Sequence, residues 1–142
     1  GELKKEEIIL IDKDCNILEK TKNTVSSEKN MHLAIYNQFN EYNVILHAHS
    51  PYTTAFFHYY KHLNVFSFES KIYLGNVPVI NQTTPIITDI KKVLKALYKN
   101  KIIVLRKHGV IAVGNTFKET FGLIELLEQQ SKVNLILKTK KT

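Results

Sequence analysis

Apolar and polar residues alternate along this chain in short blocks whose period changes several times. The segments "EEIILID", "KDCN" and "ILE" predict a short strand, a turn and a second strand. Apolar residues recur at helical spacing through "SSEKNMHLAIYNQFNEY", where Ser27 is placed to cap the helix by accepting a backbone N–H. The next segments, "NVILHAH" and "SPYTTAFFHYYKHL", predict a strand and then a helix with Pro51 in its first turn.

The second half of the chain continues this alternation of strands and helices. Residues 64 to 80 are less regular and end in a short strand within "YLGNVPVI", where Pro78 indicates that this strand lies at a sheet edge or begins there. "TDIKKVLKALYKN" predicts an amphipathic helix capped by Thr88, and "KIIVLRKHGVIAVG" predicts a hairpin-like pair of strands. A long final helix, "TFKETFGLIELLEQQSKVNLILK", opens with a capping box from Thr116 to Glu119. Short strands interspersed with helices predict a mixed sheet packed between helices.

Length and composition are those of one globular domain. The chain has 142 residues, of which 44% are apolar and 23% charged. Its single cysteine, Cys15, excludes an internal disulfide framework and is typical of a reducing compartment. No apolar run approaches the ~20 residues that cross a bilayer. These features predict a soluble cytoplasmic protein with no membrane partner.

The net charge of +7 raises the question of nucleic-acid binding. The lysines are scattered along the chain or gathered at its C-terminal end, and no nucleic-acid motif accompanies them, so we expect no nucleic-acid partner. A basic surface would instead attract anionic small molecules such as sugar phosphates. The chain begins at Gly1 and runs directly into "ELKKEEIILID". We therefore expect residues 1-142 to be a single domain that lacks an N-terminal portion.

Two histidines, His47 and His49, lie two residues apart at the end of a predicted strand. Side chains alternate along a strand, so both project from the same face. Spacing alone leaves two interpretations open, namely a shared metal ion or two separately hydrogen-bonded imidazoles. His108, at the end of another apolar strand and followed by a glycine, is the natural third ligand, although alone it reads as an exposed turn residue. Glu28 opens a helix, where its charge is also explained by the helix dipole.

Three further histidines compete for a functional role. His58 and His62 are four residues apart on one helix, and we expect them to lie on its surface. His32 follows Glu28 by four residues on the same helical face, where it could orient Glu28 rather than bind a metal directly.

In chain order, three segments resemble the class II aldolase/adducin family. "SSEKNMHLAIYNQ" is similar to the family's S-S-E-x-x-x-H-x-x-x-Y, and "VILHAHSPYTTAF" to its V-x-H-x-H-S-x-x-x-T-A. "IIVLRKHGVIAVGNTFKET" is similar to L-x-x-H-G-x-x-x-x-G-x-x-x-x-E. The fold that this resemblance implies is α/β, a three-layer α/β/α arrangement with a central mixed, mainly antiparallel sheet flanked by helices.

The resemblance also implies a site and an activity. Its metal ligands would be His47, His49 and His108, with Zn²⁺ or another divalent transition metal as cofactor. Glu28 would be the catalytic acid/base, and Ser26 and Ser27 would hold the substrate phosphate. The implied activity is that of a zinc-dependent lyase, a sugar-phosphate aldolase of the fuculose-phosphate type, which cleaves a ketose phosphate through a metal-stabilised enediolate. The implied assembly is a homo-oligomer, a tetramer by resemblance.

The chain also departs from the family pattern. Val25 stands where the family usually has proline before S-S-E, Cys15 occupies a usual glycine position, and the N-terminal phosphate loop has no counterpart here. A tyrosine that family aldolases donate from a neighbouring subunit falls in register near Phe68, with Tyr73 close by. Two alternatives stay open, a pentulose-phosphate 4-epimerase or methylthioribulose-phosphate dehydratase on the same site, and a non-catalytic adducin-like interaction domain.

Overall fold

The computed structural model describes residues 4–139, and a mixed sheet lies at its centre. Its strands are β1 (Val44–Ala48), β2 (Val79–Asn81), β3 (Ile102–Arg106) and β4 (Gly109–Gly114). In space they follow the order β1-β4-β3-β2. β4 is antiparallel to both of its neighbours, and the short β2 runs parallel to β3 at one edge. The predicted mixed, mainly antiparallel sheet is confirmed, and so is the edge position of the strand that follows Pro78.

Helices cover both faces of this sheet. Their bounds are α1 (Lys29–Gln38), α2 (Pro51–Tyr59), α3 (Phe68–Leu74), α4 (Ile90–Leu97) and α5 (Phe117–Thr139), preceded by a 3₁₀ turn at Lys5–Glu7. One core cluster contains side chains of α1 and α4, and the other contains side chains of α2, α3 and α5. This is the predicted three-layer α/β/α arrangement.

The alternation of side chains along β3 and β4 produces the two cores. Ile103 and Leu105 enter the cluster beneath α1 and α4, whereas Ile102 and Val104 enter the opposite one. All four are at most 1% exposed. Burying each such side chain contributes roughly 1.5–3 kcal/mol. Two consecutive strands buried on both faces form the rigid centre from which the site residues project.

One helix was not predicted. α3 lies inside the segment 64 to 80 that the pattern left irregular, and Ser67 caps it by accepting the Ser70 N–H at 3.1 Å. Phe68 and Ile72 are exposed rather than buried, at 83% and 77%. The apolar residues of α3 therefore do not mark a buried face, and a helix is predicted from the spacing of apolar residues on such a face.

The first predicted pair of strands forms a single β-bridge instead of two regular strands. Ile11 and Ile17 form an isolated antiparallel bridge, and Asp12 accepts the N–H groups of Asp14 and Asn16 in the turn between them. Ile8 and Leu18 are exposed by 60% and 57%. Without a buried face to cover, the pairing stops after one bridge.

At two helices the N-cap lies one residue later than the sequence pattern predicts. Glu28, rather than Ser27, is the N-cap of α1, and Asp89, rather than Thr88, caps α4 by accepting the Lys92 N–H. At α5, Thr116 Oγ1 accepts the Glu119 N–H as predicted, but the Glu119 carboxylate accepts from Asn115 instead of Thr116. Among residues 4–139, no helix is long and apolar enough to cross a membrane.

Candidate functional site

His47 and His49 meet at the end of β1, as the strand pattern predicts. His47 is opposite Ile111 of β4, and His49 follows directly after the last residue of the strand. Their ring centroids are 4.9 Å apart with the planes nearly perpendicular. The two imidazoles thus face a common space at this edge of the sheet.

The hairpin between β3 and β4 brings His108 to the same place. Because β4 lies between β1 and β3, the turn that begins β4 is next to the end of β1. Lys107, in that turn, has a positive φ of 66°. His108 Nε2 lies 3.1 Å from His47 Nε2, and one ligand nitrogen from each of the three histidines lies within 4.8 Å of the others. Two segments distant in sequence therefore form one cluster.

The donor set fits a divalent transition metal. Two imidazole nitrogens bound tetrahedrally at ~2.0–2.1 Å from zinc would be roughly 3.3 Å apart, close to the 3.1 Å between His47 and His108. Three neutral nitrogen ligands leave further coordination positions open and leave the charge of an ion uncompensated. Coordination by these three residues stays a prediction.

His47 is held in one tautomer. Its Nδ1–H donates to the carbonyl oxygen of Val110 at 2.9 Å, so the Nε2 lone pair faces the cluster. Burial lowers the pKa of His47, and the adjacent His108 and His49 lower it further, against the opposing effect of the Val110 hydrogen bond. Burial also lowers the pKa of His108. Both rings are therefore neutral and able to donate a lone pair near neutral pH.

These shifts, with the lowered pKa that burial imposes on His32, predict an acid-sensitive fold. The folded-state pKa values lie below the ordinary 6.5, so the unfolded chain binds protons first as the pH falls through 6.5. We expect metal-free protein to show a smaller urea-derived free energy of unfolding at about pH 5.5 than at about pH 7.5. His32→Gln should narrow that difference, and equal stability at the two pH values would contradict the prediction.

Glu28 is buried at the start of α1, close enough to act electrostatically on the cluster. It is 7% exposed, and its charge favours the protonated forms of His47 and His108. Both carboxylate oxygens receive long hydrogen bonds from the Ile87 N–H, at 3.4 and 3.3 Å. Glu28 is not a member of the three-histidine cluster. Its role as the catalytic acid/base stays a prediction.

The predicted phosphate serines lie at the N-terminal end of α1. Ser26 Oγ accepts the Glu28 N–H at 3.2 Å, and Ser26 and Ser27 are both exposed. Unpaired N–H groups at the start of a helix form a natural anion site. Half-buried His32 lines a cavity together with Ser26, but no hydrogen bond joins the His32 and Glu28 side chains in the described part of the chain. Its role in orienting Glu28 stays a prediction.

His58 and His62 are not members of the three-histidine cluster. Both are exposed, and His58 is within α2 whereas His62 follows it. Neither belongs to a group of potential metal ligands within residues 4–139. This agrees with the expectation that they occupy the protein surface.

Gly109 has a role that the sequence did not reveal in full. A Cβ at this position would collide with the carbonyl oxygen of Ala48 and come within 3.1 Å of His49 Cδ2. The sequence shows a glycine directly after His108, but the strand that this glycine approaches is distant in sequence. Close packing of the hairpin against β1 therefore sets the spacing of the three histidines.

We expect Gly109→Ala to weaken metal binding while leaving the chain folded. The new methyl group must push the end of β1 away, and loss of such supporting geometry typically costs about 10–100-fold in metal affinity. Competition with a chromophoric chelator measures the change. Gly75→Ala is a poor control because Gly75 has a positive φ of 54°, so Gly122→Ala, where nothing lies within 4 Å of the new Cβ, is the matched variant. Equal affinities in both variants would contradict the prediction.

Glu128 is a second residue that local sequence patterns missed. Ser50 makes no side-chain cap for α2, and the Glu128 carboxylate of α5 accepts instead from the Tyr52 N–H, the Thr53 N–H and Thr53 Oγ1, at 2.8, 2.8 and 2.7 Å. A carboxylate at this end also complements the helix dipole. It anchors the helix that starts just after His49.

Comparison with protein families places this arrangement in context. Residues 1–135 match the family described as "Class II Aldolase and Adducin N-terminal domain". The match includes all three histidines, Glu28 and both serines.

Individual relatives agree with that match. The chain is 30% identical over 141 residues to L-fuculose phosphate aldolase of Methanococcus maripaludis (strain C7), covering 99% of this chain and 76% of the relative. It is 27% identical over 130 residues to 5-deoxy-D-ribulose 1-phosphate aldolase of Bacillus thuringiensis serovar kurstaki, covering 89% and 60%. The crystal structure of L-fuculose-1-phosphate aldolase from Thermus thermophilus superposes with a TM-score of 0.83 at 25% identity, covering 98% and 73% of the two chains.

Proposed function

Because this chain belongs to the class II aldolase and adducin N-terminal domain family, we propose that it is a zinc-dependent aldolase that cleaves a ketose phosphate of the fuculose-phosphate type. The observation that carries the proposal is the convergence of His47, His49 and His108, with ligand nitrogens within 4.8 Å of one another. A bound Zn²⁺ or similar divalent ion would act as a Lewis acid that polarises the substrate carbonyl. The residues around it then have separate tasks.

The three histidines would bind the metal ion and fix its position relative to the substrate. His47 presents Nε2 because its Nδ1–H is bonded to the Val110 carbonyl, so one ligand needs no rearrangement on binding. His49 is the most exposed of the three, which leaves an open side for substrate. Preorganised ligands on strand ends keep the reacting carbon at a constant distance from the acid/base.

Glu28 would move the proton. Its carboxylate is buried beside the cluster, and its hydrogen bonds from the Ile87 N–H are long and weak. In the cleavage direction the carboxylate accepts the proton of the substrate hydroxyl whose carbon becomes the aldehyde, or returns a proton to the carbon next to the carbonyl. The first step needs the ionised carboxylate, and the second needs the carboxylic acid that the first step produces, in both cases within reach of the substrate.

Ser26 and Ser27 would receive the phosphate. Both hydroxyls are exposed at the start of a ten-residue helix, and the family match covers them. The dipole of α1 adds a favourable interaction for a dianion at the helix N-terminus. The net charge of +7 assists the approach of such a substrate.

Two other activities use the same residues. A pentulose-phosphate 4-epimerase or a methylthioribulose-phosphate dehydratase would also need a metal and an acid/base. The aldolase is favoured because the curated relatives quoted above are both named sugar-phosphate aldolases. A non-catalytic adducin-like role is disfavoured because the chain retains all three histidines of the cluster and the buried Glu28. We also propose a cytoplasmic location, which suits the single cysteine.

A panel of ketose 1-phosphates tests the proposal. Zinc-loaded protein is incubated with fuculose, rhamnulose, ribulose and 5-deoxyribulose 1-phosphates, and the release of dihydroxyacetone phosphate and aldehyde is followed by a coupled dehydrogenase assay. Cleavage that is lost on chelation and restored by zinc supports the aldolase. Formation of a stereoisomer without aldehyde would favour the epimerase, and no turnover of any substrate would contradict the enzyme.

We also propose that the chain forms a homo-oligomer through α3. Phe68, Ile72 and Tyr73 are 83%, 77% and 65% exposed on this one short helix, a concentration of apolar surface that isolated monomers rarely keep. Ile72→Glu is expected to shift the assembly toward smaller species in sedimentation velocity. Ile8→Glu, at another exposed isoleucine, is the control. A wild-type protein that sediments as a monomer at assay concentration would contradict the proposal.

A further inference from the structure

A cationic cavity lies where β2 and β3 end. Arg106, the last residue of β3, is paired in register with Asn81, the last residue of β2. Both line a cavity of about 440 Å³, which His58, Gln82 and Lys107 help to enclose. Because Arg106 is two residues before His108, the cavity lies at the same end of the sheet as the histidine cluster.

The donors at this cavity are only partly satisfied. A guanidinium has five N–H groups, and one Nη2–H of Arg106 donates to the Tyr60 carbonyl at 3.1 Å. The Arg106 Nε–H is buried and finds no acceptor among residues 4–139, and the same is true of Gln82 Nε2. A buried donor without an acceptor is destabilising, so two of them in residues that line one cavity need a reason.

The charge around these donors has one sign. The cavity is lined by Arg106, Lys107 and neutral side chains, with no carboxylate among its described lining residues. A neighbouring cavity of about 340 Å³ shares Asn81 and Arg106 and adds Lys61, again without an acidic residue in its described lining. Both lysines are exposed and have no ion-pair partner in the described part of the chain. Cationic groups that converge without counter-charges produce a local positive potential.

We propose that this cavity is a separate anion site, which binds the oxyanion of a small phosphorylated or carboxylated molecule. An oxyanion in the cavity can accept from guanidinium N–H groups of Arg106 that are not used by the Tyr60 carbonyl, and Lys107 adds a charge-assisted contact. The volume is within the range of small-molecule sites, so the oxyanion can carry an organic group. The site is distinct from the serines at the start of α1, and it does not depend on the proposed function.

Titration of inorganic phosphate into the full chain, followed by ¹H–¹⁵N NMR, tests this inference. The protein is made metal-free with a chelator so that the histidine cluster cannot bind phosphate through an ion, and sodium chloride keeps the ionic strength constant. The Arg106 Nε–H, the Gln82 side-chain amide and the Lys107 amide are expected to shift together along one saturable curve.

Two lysine variants make the test quantitative. Lys107→Asn removes a charge and suits the left-handed backbone, and Lys61→Gln removes the neighbouring charge. Each is expected to weaken phosphate binding about five-fold, as loss of one charge near 4 Å in water would. Lys95→Gln, at an exposed lysine of α4, is the control and should change nothing. These variants carry the test because Arg106→Gln would also remove the bond to Tyr60.

The results of the titration distinguish an anion site at Arg106 from a phosphate site at the start of α1. Shifts confined to residues 26–30 would mark the helix start as the sole phosphate site and overturn the proposal, as would unchanged affinity in both lysine variants. A parallel titration with acetate identifies the ligand class. Tighter binding of phosphate would assign a phosphate ester and tighter binding of acetate a carboxylate, and both results support an anion site at Arg106.

Discussion

His47→Ala is expected to abolish stable metal binding and, with it, turnover. His47 is the candidate ligand whose ring is fixed on both sides, with Nε2 3.1 Å from His108 Nε2 and Nδ1–H bonded to the Val110 carbonyl. Without it two imidazoles remain, one of them exposed. Loss of a residue that hydrogen-bonds to a metal ligand typically lowers metal affinity about 10–100-fold. Loss of a direct ligand should lower the affinity by more than about 100-fold. Metal content after dialysis and chelator competition measure the change.

His62→Ala is the matched control for this experiment. It removes an imidazole of the same chemistry from an exposed position outside the cluster, so it should retain wild-type metal content. Circular dichroism of both variants establishes that they are folded. Stoichiometric zinc in His47→Ala would show that the cluster is not the metal site.

Glu28→Gln is expected to separate metal binding from catalysis. Glutamine has the same shape and can still accept the Ile87 N–H, so α1 should keep its position. It cannot take up a proton at neutral pH, and loss of a positioned acid/base typically costs about 10²–10⁴-fold in rate. We therefore expect normal zinc content and a rate lower by that factor. Exchange of the substrate's α-proton with deuterated solvent gives a second measure of the same step.

Glu125→Gln, at an exposed residue of α5, controls for the loss of one negative charge. Its turnover and proton exchange should match those of the wild type. Undiminished exchange in Glu28→Gln would remove this residue from the proton-transfer step, and loss of the metal would instead make it a ligand.

Much of the histidine cluster was predictable because local rules govern it. Alternation along a strand places His47 and His49 on one side, and the apolar run around them predicts the strand. A glycine after His108 indicates a tight turn. Residue type and position indicated His108 as a third candidate, and the family resemblance implied the full set with Glu28. The structure brings the three imidazoles together, and their roles stay predictions.

Other features were unpredictable because their partners are distant in sequence. Glu128 caps α2 from 75 residues away, and no local pattern at either position indicates it. α3 was missed because its apolar residues face outward, which hides the periodicity that predicts helices. The predicted first strand pair shrank to one bridge because nothing covers it. In each case a long-range contact, or its absence, overrode the local preference.

The amino-acid sequence by itself determined the elements of the sheet, the identity of the candidate ligands and the family, since these depend on side-chain type and short-range periodicity. Only the tertiary structure decided how those parts meet. Placing β4 between β1 and β3 puts His108 beside His47, and the Val110 carbonyl selects the tautomer of His47. The close approach of Gly109 to Ala48 sets the distance between His108 and the end of β1, where His49 lies. The physical reason is that a coordination site is defined by distances of a few ångströms between strands, which packing of the whole sheet establishes.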